Sequence, residues 1–312
     1  MTIPAAPVTL ILPTFNHAST LGLSIQSVLS QTYGDFALVV IGDGVQDDSR
    51  DVMSDITAQD ARVHFLDREK SPRHAELVRD EVIKSTESCI IGYHGDDDLL
   101  LPSHLEQLLE VLDGNDFAHP LPVLINADGA PVIVPTDLSR SDCLSWHVGP
   151  PPRNAVSLTG VVHTRDIYQR LPHGWRQTPQ GHFTDQYMWA QFFSIPELRA
   201  VTSRKATTIK LSTSVRTTLG PAERADEIEK WWSRIHDDDF DKWWSEQVHE
   251  AIYRTAVDAT LANSDLTKNS ELHTHATEIQ RDAALAHLLA IESSHVWRAT
   301  AWYRHLRSGF SR

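Results

Sequence analysis

Two cysteines in 312 residues, Cys89 and Cys143, allow no disulfide framework beyond one pair, and neither has a partner at zinc-ligand spacing. A reducing cytoplasm is the expected compartment. No segment is apolar for long enough to span a bilayer, and the run Val8 to Leu12 is too short for the core of a secretory signal. Positive charge is also scarce: 28 Lys and Arg stand against 42 Asp and Glu, a formal charge of -14. Such a surface repels a phosphate backbone, which argues against nucleic acid as a partner; an anionic ligand would need local help, such as a metal ion. Glycine and proline nearly vanish after about Ala222. What remains is globular material, 41% hydrophobic and 22% charged, long enough for a large core and an appended subdomain.

The first hundred residues alternate between two periods. VTLILP (8–13), FALVVIGDG (36–44), VHFLD (63–67) and CIIGYH (89–94) are apolar runs. Leu21, Ile25, Val28 and Leu29 recur at helical spacing, with a cap expected at Asn16 or Ser19, and HAELVRDEVIKST (74–86) reads as a second helix. Buried strands alternating with amphipathic helices imply a parallel sheet covered on both faces, whose ligands gather outside the carboxyl ends of the strands. Asn16, Asp43 and the triplet Asp96, Asp97 and Asp98 all fall there. Three adjacent carboxylates ending an apolar run are costly unless a cation or water reaches them.

Beyond a helix over 103–112, PVLINADGAPVIVP (122–135) predicts a hairpin turning at Asp128 and Gly129, and VSLTGVVHT (156–164) a further strand. GHFTDQYMWAQFF predicts a helix with Asp185 in its first turn. Trp175 and Trp189, close to Asp185, are candidate acceptor-stacking residues. Gly220 and Pro221 mark the best boundary; Trp231, Trp232, Trp243 and Trp244 beyond it suit helix packing, and HDDDF (236–240) a solvated turn.

PTFN, SVLSQTYGDFALVVIGDG and DDDLLLP, in this order and spacing, resemble the nucleotide-sugar-binding half of a glycosyltransferase family 2 enzyme. The resemblance implies the GT-A fold: α/β, Rossmann-like, a mostly parallel sheet flanked by helices, here with a helical C-terminal region. Residues 1–221 would form the transferase domain, with a nucleotide-binding half at 7–112 and an acceptor half at 113–221, and 222–312 the helical region.

In that family Pro13, Thr14 and Asn16 would border the nucleoside pocket and Asp43 would contact the base. Asp96 and Asp97 would hold the ribose and a divalent metal, Mn²⁺ or Mg²⁺, that bridges the diphosphate, with Asp98 as an adjacent metal ligand. Asp185 would be the catalytic base of a one-step inverting displacement, and Arg73 and His74 would reach the pyrophosphate. The pattern departs from the family at Gly42, at Gly95 and at RDEV (79–82), where an aspartate, an aspartate and Arg-Asn-x-Gly are usual. Asp43 suits the N3 proton of uracil, so a UDP-sugar is the expected donor; dTDP presents the same edge, and GDP is the third option.

The acceptor is expected to be a glycan, a lipid-linked sugar or a small molecule, as in polysaccharide biosynthesis. The tail is similar to those of transferases acting on lipid-linked acceptors. Its basic face, with Trp297, Trp302 and Phe310, suits an anionic membrane surface on the cytoplasmic side, or docking in a homo-oligomer. Two rival readings are a noncatalytic nucleotide-sugar-binding subunit and a nucleotidyltransferase. The latter should carry a glycine-rich, basic signature after its first strand, which PTFNHAST lacks.

Overall fold

The computed structural model describes residues 3–149, 153–211 and 215–293. Its first half follows the apolar runs closely. Strand β1 (Val8–Thr14) is followed by helix α1 (Ala18–Leu29), β2 (Phe36–Asp43), α2 (Asp47–Gln59), β3 (Val63–Arg68), α3 (Glu76–Ser85) and β4 (Ile90–Tyr93). All of β2 and all but Pro13 of β1 are buried, because helices cover both faces of the sheet. Leu21, Ile25 and Val28 form the buried stripe of α1. Its N-cap is His17, without a side-chain capping bond, rather than Asn16 or Ser19.

The next elements are β5 (Leu99–Leu100), α4 (His104–Leu112), β6 (Phe117–His119), the antiparallel pair β7 (Val123–Ile125) and β8 (Pro131–Ile133), α5 (Ser141–Val148), β9 (Val162–Thr164) and α6 (Arg165–Gln169). Then come α7 (Thr184–Phe193), β10 (Ala200–Thr202) and β11 (Thr208–Ile209). The hairpin expected at 122–135 is present, with Gly129 at φ 84° in its turn. The strand expected over 156–164 is shorter and starts only at Val162.

Seven strands form one sheet in the order β10-β6-β9-β4-β1-β2-β3. Val8 pairs with Phe36 on one side and Ile90 on the other, both in parallel, and β9 alone runs against its neighbours. The chain steps outward from β1 to β2 and β3, then returns to place β4 on the opposite flank. Between the carboxyl ends of β1 and β4 lies the topological switch point, where the loops diverge and leave a crevice.

The chain forms two compact units, Met1–Ile252 and Tyr253–Arg312. The first unit includes α8 (Pro221–Ile235) and the opening turns of α9 (Phe240–Ser293). Ile228, Ile235, Phe240, Trp244 and Val248 pack with Leu99, Val123 and Ile209, and Trp231, Trp232 and Trp243 lie against this cluster. The tryptophan pairs are therefore packing anchors. In the second unit the described residues continue α9, with Tyr253, Val257 and Leu261 exposed at i, i+4 and i+8. Trp297, Trp302 and Phe310 lie outside the described residues. No described helix is long and apolar enough to cross a membrane.

Candidate active site

The crevice at the switch point is a cleft of about 610 Å³. Pro13, Thr14, Asn16, Asp43, His74 and Asp96 all line it, as does Asp185 from the other half of the chain. The loop after β1, the end of β2 and the loop after β4 thus converge as the alternating pattern requires. Arg73 is turned to the protein instead: one guanidinium nitrogen donates to the His182 carbonyl oxygen at 3.2 Å.

The three adjacent carboxylates do not act together. Asp98 points into the protein, where its side chain is fully buried and accepts from Lys210 Nζ at 2.7 Å, from the Leu211 amide at 2.8 Å and from the Thr159 hydroxyl. Burial would raise the Asp98 carboxyl, but Lys210 and these hydrogen bonds hold it below the usual carboxylate range. Turned inward onto Lys210, Asp98 stands outside the group of side chains that could hold a metal ion together, unlike the sequence expectation. The same arrangement explains Gly95, since a Cβ there would lie 2.9 Å from Asp98 Oδ2 and 3.0 Å from Thr159 Oγ1. A Cβ on Gly42 would likewise meet the Phe65 ring at 2.8 Å.

Among the described residues the metal-capable group is His17, Asp96 and Asp97, whose candidate ligand atoms lie within 4.8 Å of one another. His17 Nδ1 and Asp96 Oδ1 are hydrogen-bonded at 2.9 Å, a contact that raises the imidazole above its ordinary value against the effect of burial. Arg224, from the first turn of α8, reaches the same place: Nη1 is 2.9 Å from His17 Nε2 and Nη2 is 3.6 Å from Asp97 Oδ2. Burial, followed by the Asp98 and Asp96 charges, pushes Asp97 up to about 6.

This has a consequence for stability. A carboxyl raised in the folded state binds its proton more tightly there than in the unfolded chain, so stability falls as pH rises from about 4 to 6. In metal-free buffer Asp97→Asn is expected to stabilise the protein by on the order of 2 kcal/mol at pH 7.5, with the gain gone near pH 4. Urea unfolding at the two pH values checks this. An equal effect at both would refute the charge penalty.

At the opposite wall, Asp43 Oδ1 accepts from the Ser71 amide at 2.6 Å, while Oδ2 accepts from Lys70 Nζ at 2.6 Å and from the Ser71 hydroxyl at 2.9 Å. Three of about four acceptor sites are used, leaving one on Oδ1. Phe15, inside the PTFN segment, lines the cleft with 38% of its surface exposed, and Lys70 Nζ lies 4.8 Å from its ring centre. Arg79 also lines it, stacked 4.6 Å from the Trp175 ring, with its buried Nε and Nη1 lacking hydrogen-bond partners. Burial pulls that guanidinium below its ordinary value.

Asp185 occupies the first turn of α7, as expected. A second cavity of about 280 Å³ lies next to the cleft and shares with it Phe183, Asp185 and Lys210. Pro120, Val123, Leu124 and Val134 make much of its wall apolar. Trp175 and Trp189 are only 2% and 1% exposed. Their indole nitrogens donate to Tyr93 Oη and the Val156 carbonyl, both at 3.0 Å. They are core residues and cannot stack an acceptor, which overturns that expectation; Phe183, 72% exposed, is the aromatic residue at the junction.

Sequence reasoning missed Phe15, His17, Lys210 and Arg224. Phe15 lies within a recognised segment and His17 directly after it, so both were open to discovery. Lys210 and Arg224 stand in polar stretches with no local signal.

A family model described as "Glycosyl transferase family 2" matches residues 9–166. Among curated proteins, an uncharacterized glycosyltransferase of Rickettsia bellii is 31% identical over 113 residues, covering 36% of this chain and 16% of its own length. The UDP-Glc:alpha-D-GlcNAc-diphosphoundecaprenol beta-1,3-glucosyltransferase WfgD of Escherichia coli is 28% identical over 111 residues, covering 36% of this chain and 43% of its own. The chain thus spans less than half the length of either relative. Among solved structures, S. aureus TarS 1–349 superposes with a TM-score of 0.52 at 14% identity, over 73% of this chain and 71% of that one. Its complex with UDP-GlcNAc gives 0.51 at 14% identity, over 73% and 72%. At such identity the likeness is one of fold.

Proposed function

The chain belongs to glycosyl transferase family 2, and from that membership we propose that it moves a sugar from a nucleotide-sugar, UDP-linked by preference, to an acceptor hydroxyl with inversion at the anomeric carbon. The observation that carries this reading is Asp185, a carboxylate common to two adjoining cavities. A base for glycosyl transfer has to face the donor on one side and the acceptor hydroxyl on the other. Asp185 takes the proton as that hydroxyl attacks, and no covalent nucleophile on the protein is required.

The donor occupies the larger cleft. Phe15 stacks the base, the remaining acceptor site of Asp43 receives the uracil N3 proton, and Thr14, Asn16 and Asp96 surround the ribose. His74 and Arg79 face the diphosphate, Arg79 with donors left unpaired in the protein. The donor set of His17, Asp96 and Asp97 fits a divalent cation, and an imidazole among carboxylates suits Mn²⁺ better than Mg²⁺. When bound, such an ion supplies charge neutralisation for the departing diphosphate.

The acceptor enters through the smaller cavity. Among the described residues its charged lining groups are Asp185 and Lys210, and Lys210 is matched by Asp98. A neutral hydroxyl-bearing face, as on a glycan or the sugar of a lipid-linked acceptor, suits such walls. The C-terminal helices serve self-association or contact with a membrane surface, a role supported by the exposed Tyr253, Val257 and Leu261.

Calorimetric titration with UDP, dTDP and GDP, each with Mn²⁺, Mg²⁺ or EDTA, tests the donor assignment. UDP binding that requires Mn²⁺ is the expected result. Failure to bind any of the three would defeat the proposal, whereas UDP binding without any transfer of its sugar conjugates would favour the noncatalytic subunit.

A further inference from the structure

We infer that Arg224 is the resident counter-ion of the acidic cluster, displaced when a divalent cation binds, so that α8 couples cation binding to diphosphate binding. This rests on the reading of the cleft as a nucleotide-sugar site, and it adds a residue from a helix well outside the matched segment 9–166.

The hydrogen bonds define the arrangement. An arginine can only donate, so His17 Nε2 must accept from Arg224 Nη1 at 2.9 Å and the imidazole proton must sit on Nδ1. That proton is given to Asp96 Oδ1 at 2.9 Å. Arg224, His17 and Asp96 therefore form a chain, and the second guanidinium nitrogen closes it on Asp97 at 3.6 Å. Most of this is shielded from water: the side chains of Arg224, Asp97 and Asp96 are 14%, 13% and 12% exposed, and that of His17 27%. Arg224 is held in place by the helix start, where the Gly220 amide donates to Glu223 at 2.7 Å and α8 packs on α1.

The group that fits a metal is thus already supplied with one positive charge, against the two negative charges of Asp96 and Asp97. A divalent cation would use the same lone pairs, those of His17 and Asp97, and two cations confined to one part-buried site repel. Cation binding and the present Arg224 contacts exclude each other. A diphosphate arriving with the cation changes this balance. It brings negative charge to the site, and a guanidinium released from Asp97 gains a phosphate partner of matching geometry. The cation alone then meets competition, while cation and nucleotide together do not. Linkage makes this reciprocal: UDP raises the affinity for Mn²⁺ by the same factor as Mn²⁺ raises that for UDP.

The test is a Mn²⁺ titration of the nucleotide-free full chain, followed by the electron paramagnetic resonance of free Mn²⁺, and repeated with saturating UDP. Arg224→Gln keeps the size and removes the charge; Arg224→Lys keeps the charge. Without nucleotide, Arg224→Gln is expected to bind Mn²⁺ about tenfold tighter than the parent, with Arg224→Lys close to the parent. The gain in Mn²⁺ affinity conferred by UDP should shrink in Arg224→Gln. Mn²⁺ affinity that is unchanged or weaker in Arg224→Gln, with the parent binding Mn²⁺, overturns the role of Arg224 and leaves the metal site standing. Absence of Mn²⁺ binding in every variant, with UDP present or not, overturns the metal assignment and this inference together. Thermal melts of the three proteins separate a folding defect from a change at the site.

Discussion

Replacing Asp185 by asparagine is expected to lower the rate of sugar transfer by about 10²- to 10⁴-fold while leaving UDP affinity within about twofold of the parent. The substitution keeps the shape of the side chain and an oxygen able to accept from the Gln186 amide, as Asp185 Oδ1 does now at 2.8 Å. It removes the negative charge and, with it, the capacity to take a proton. A carboxylate in the first turn of a helix also interacts with the helix dipole, so a stability loss of about 0.3–1 kcal/mol is expected. That alternative role separates cleanly from the catalytic one: a helix-end residue would change the melting temperature and spare the rate. Calorimetry for UDP, single-turnover transfer and a thermal melt on one preparation decide the matter. Transfer within threefold of the parent would exclude Asp185 as the base.

Lys210→Met is expected to destabilise the fold by about 3 kcal/mol, because it strands a fully buried carboxylate without its cation. The figure is at the low end for a broken buried pair, since Asp98 keeps the Thr159 and Leu211 donors and Lys210 is itself 22% exposed. Burial opposes the Lys210 charge, yet Asp98 and Asp97 hold the ammonium above its usual range. Adding Asp98→Asn to Lys210→Met should recover much of the loss, because no charge is then left unpaired. Urea unfolding of the two single variants and the double variant forms a cycle. A loss below 1 kcal/mol for Lys210→Met would mean that Asp98 does not depend on this partner. The pair also divides the triplet: Asp98 is held inward on Lys210, Asp96 lines the cleft, and Asp97 lies behind it against Arg224.

What was legible in the sequence is what depends on neighbours along the chain. Continuous apolar runs became β1, β2 and β4 because a strand covered on both faces needs no polar alternation, while the run at β3 became the half-buried edge strand; the turn at Gly129 followed from local backbone chemistry. α2 escaped notice because its buried side is sparse, with only Ser49, Met53 and Ile56 buried. The cleft was legible too, since parallel topology sends Asn16, Asp43 and Asp96 to the same edge of the sheet whatever the rest of the chain does. The family resemblance rested on those same local segments.

The rest was decided by contacts between distant parts of the chain. Which of three adjacent aspartates turns inward depended on Lys210, 112 residues from Asp98. Whether Trp175 and Trp189 met solvent or core depended on packing between distant segments: both rings lie against Tyr93, and Trp189 also against Phe117. His17 acquired a role only when Asp96 came beside it, and Arg224 reached it across 207 residues of sequence. A sequence carries the residue types needed for chemistry and the periodicity that builds the frame. The pairing of charges is set by distance and by exclusion of water, and those exist only once the chain has packed.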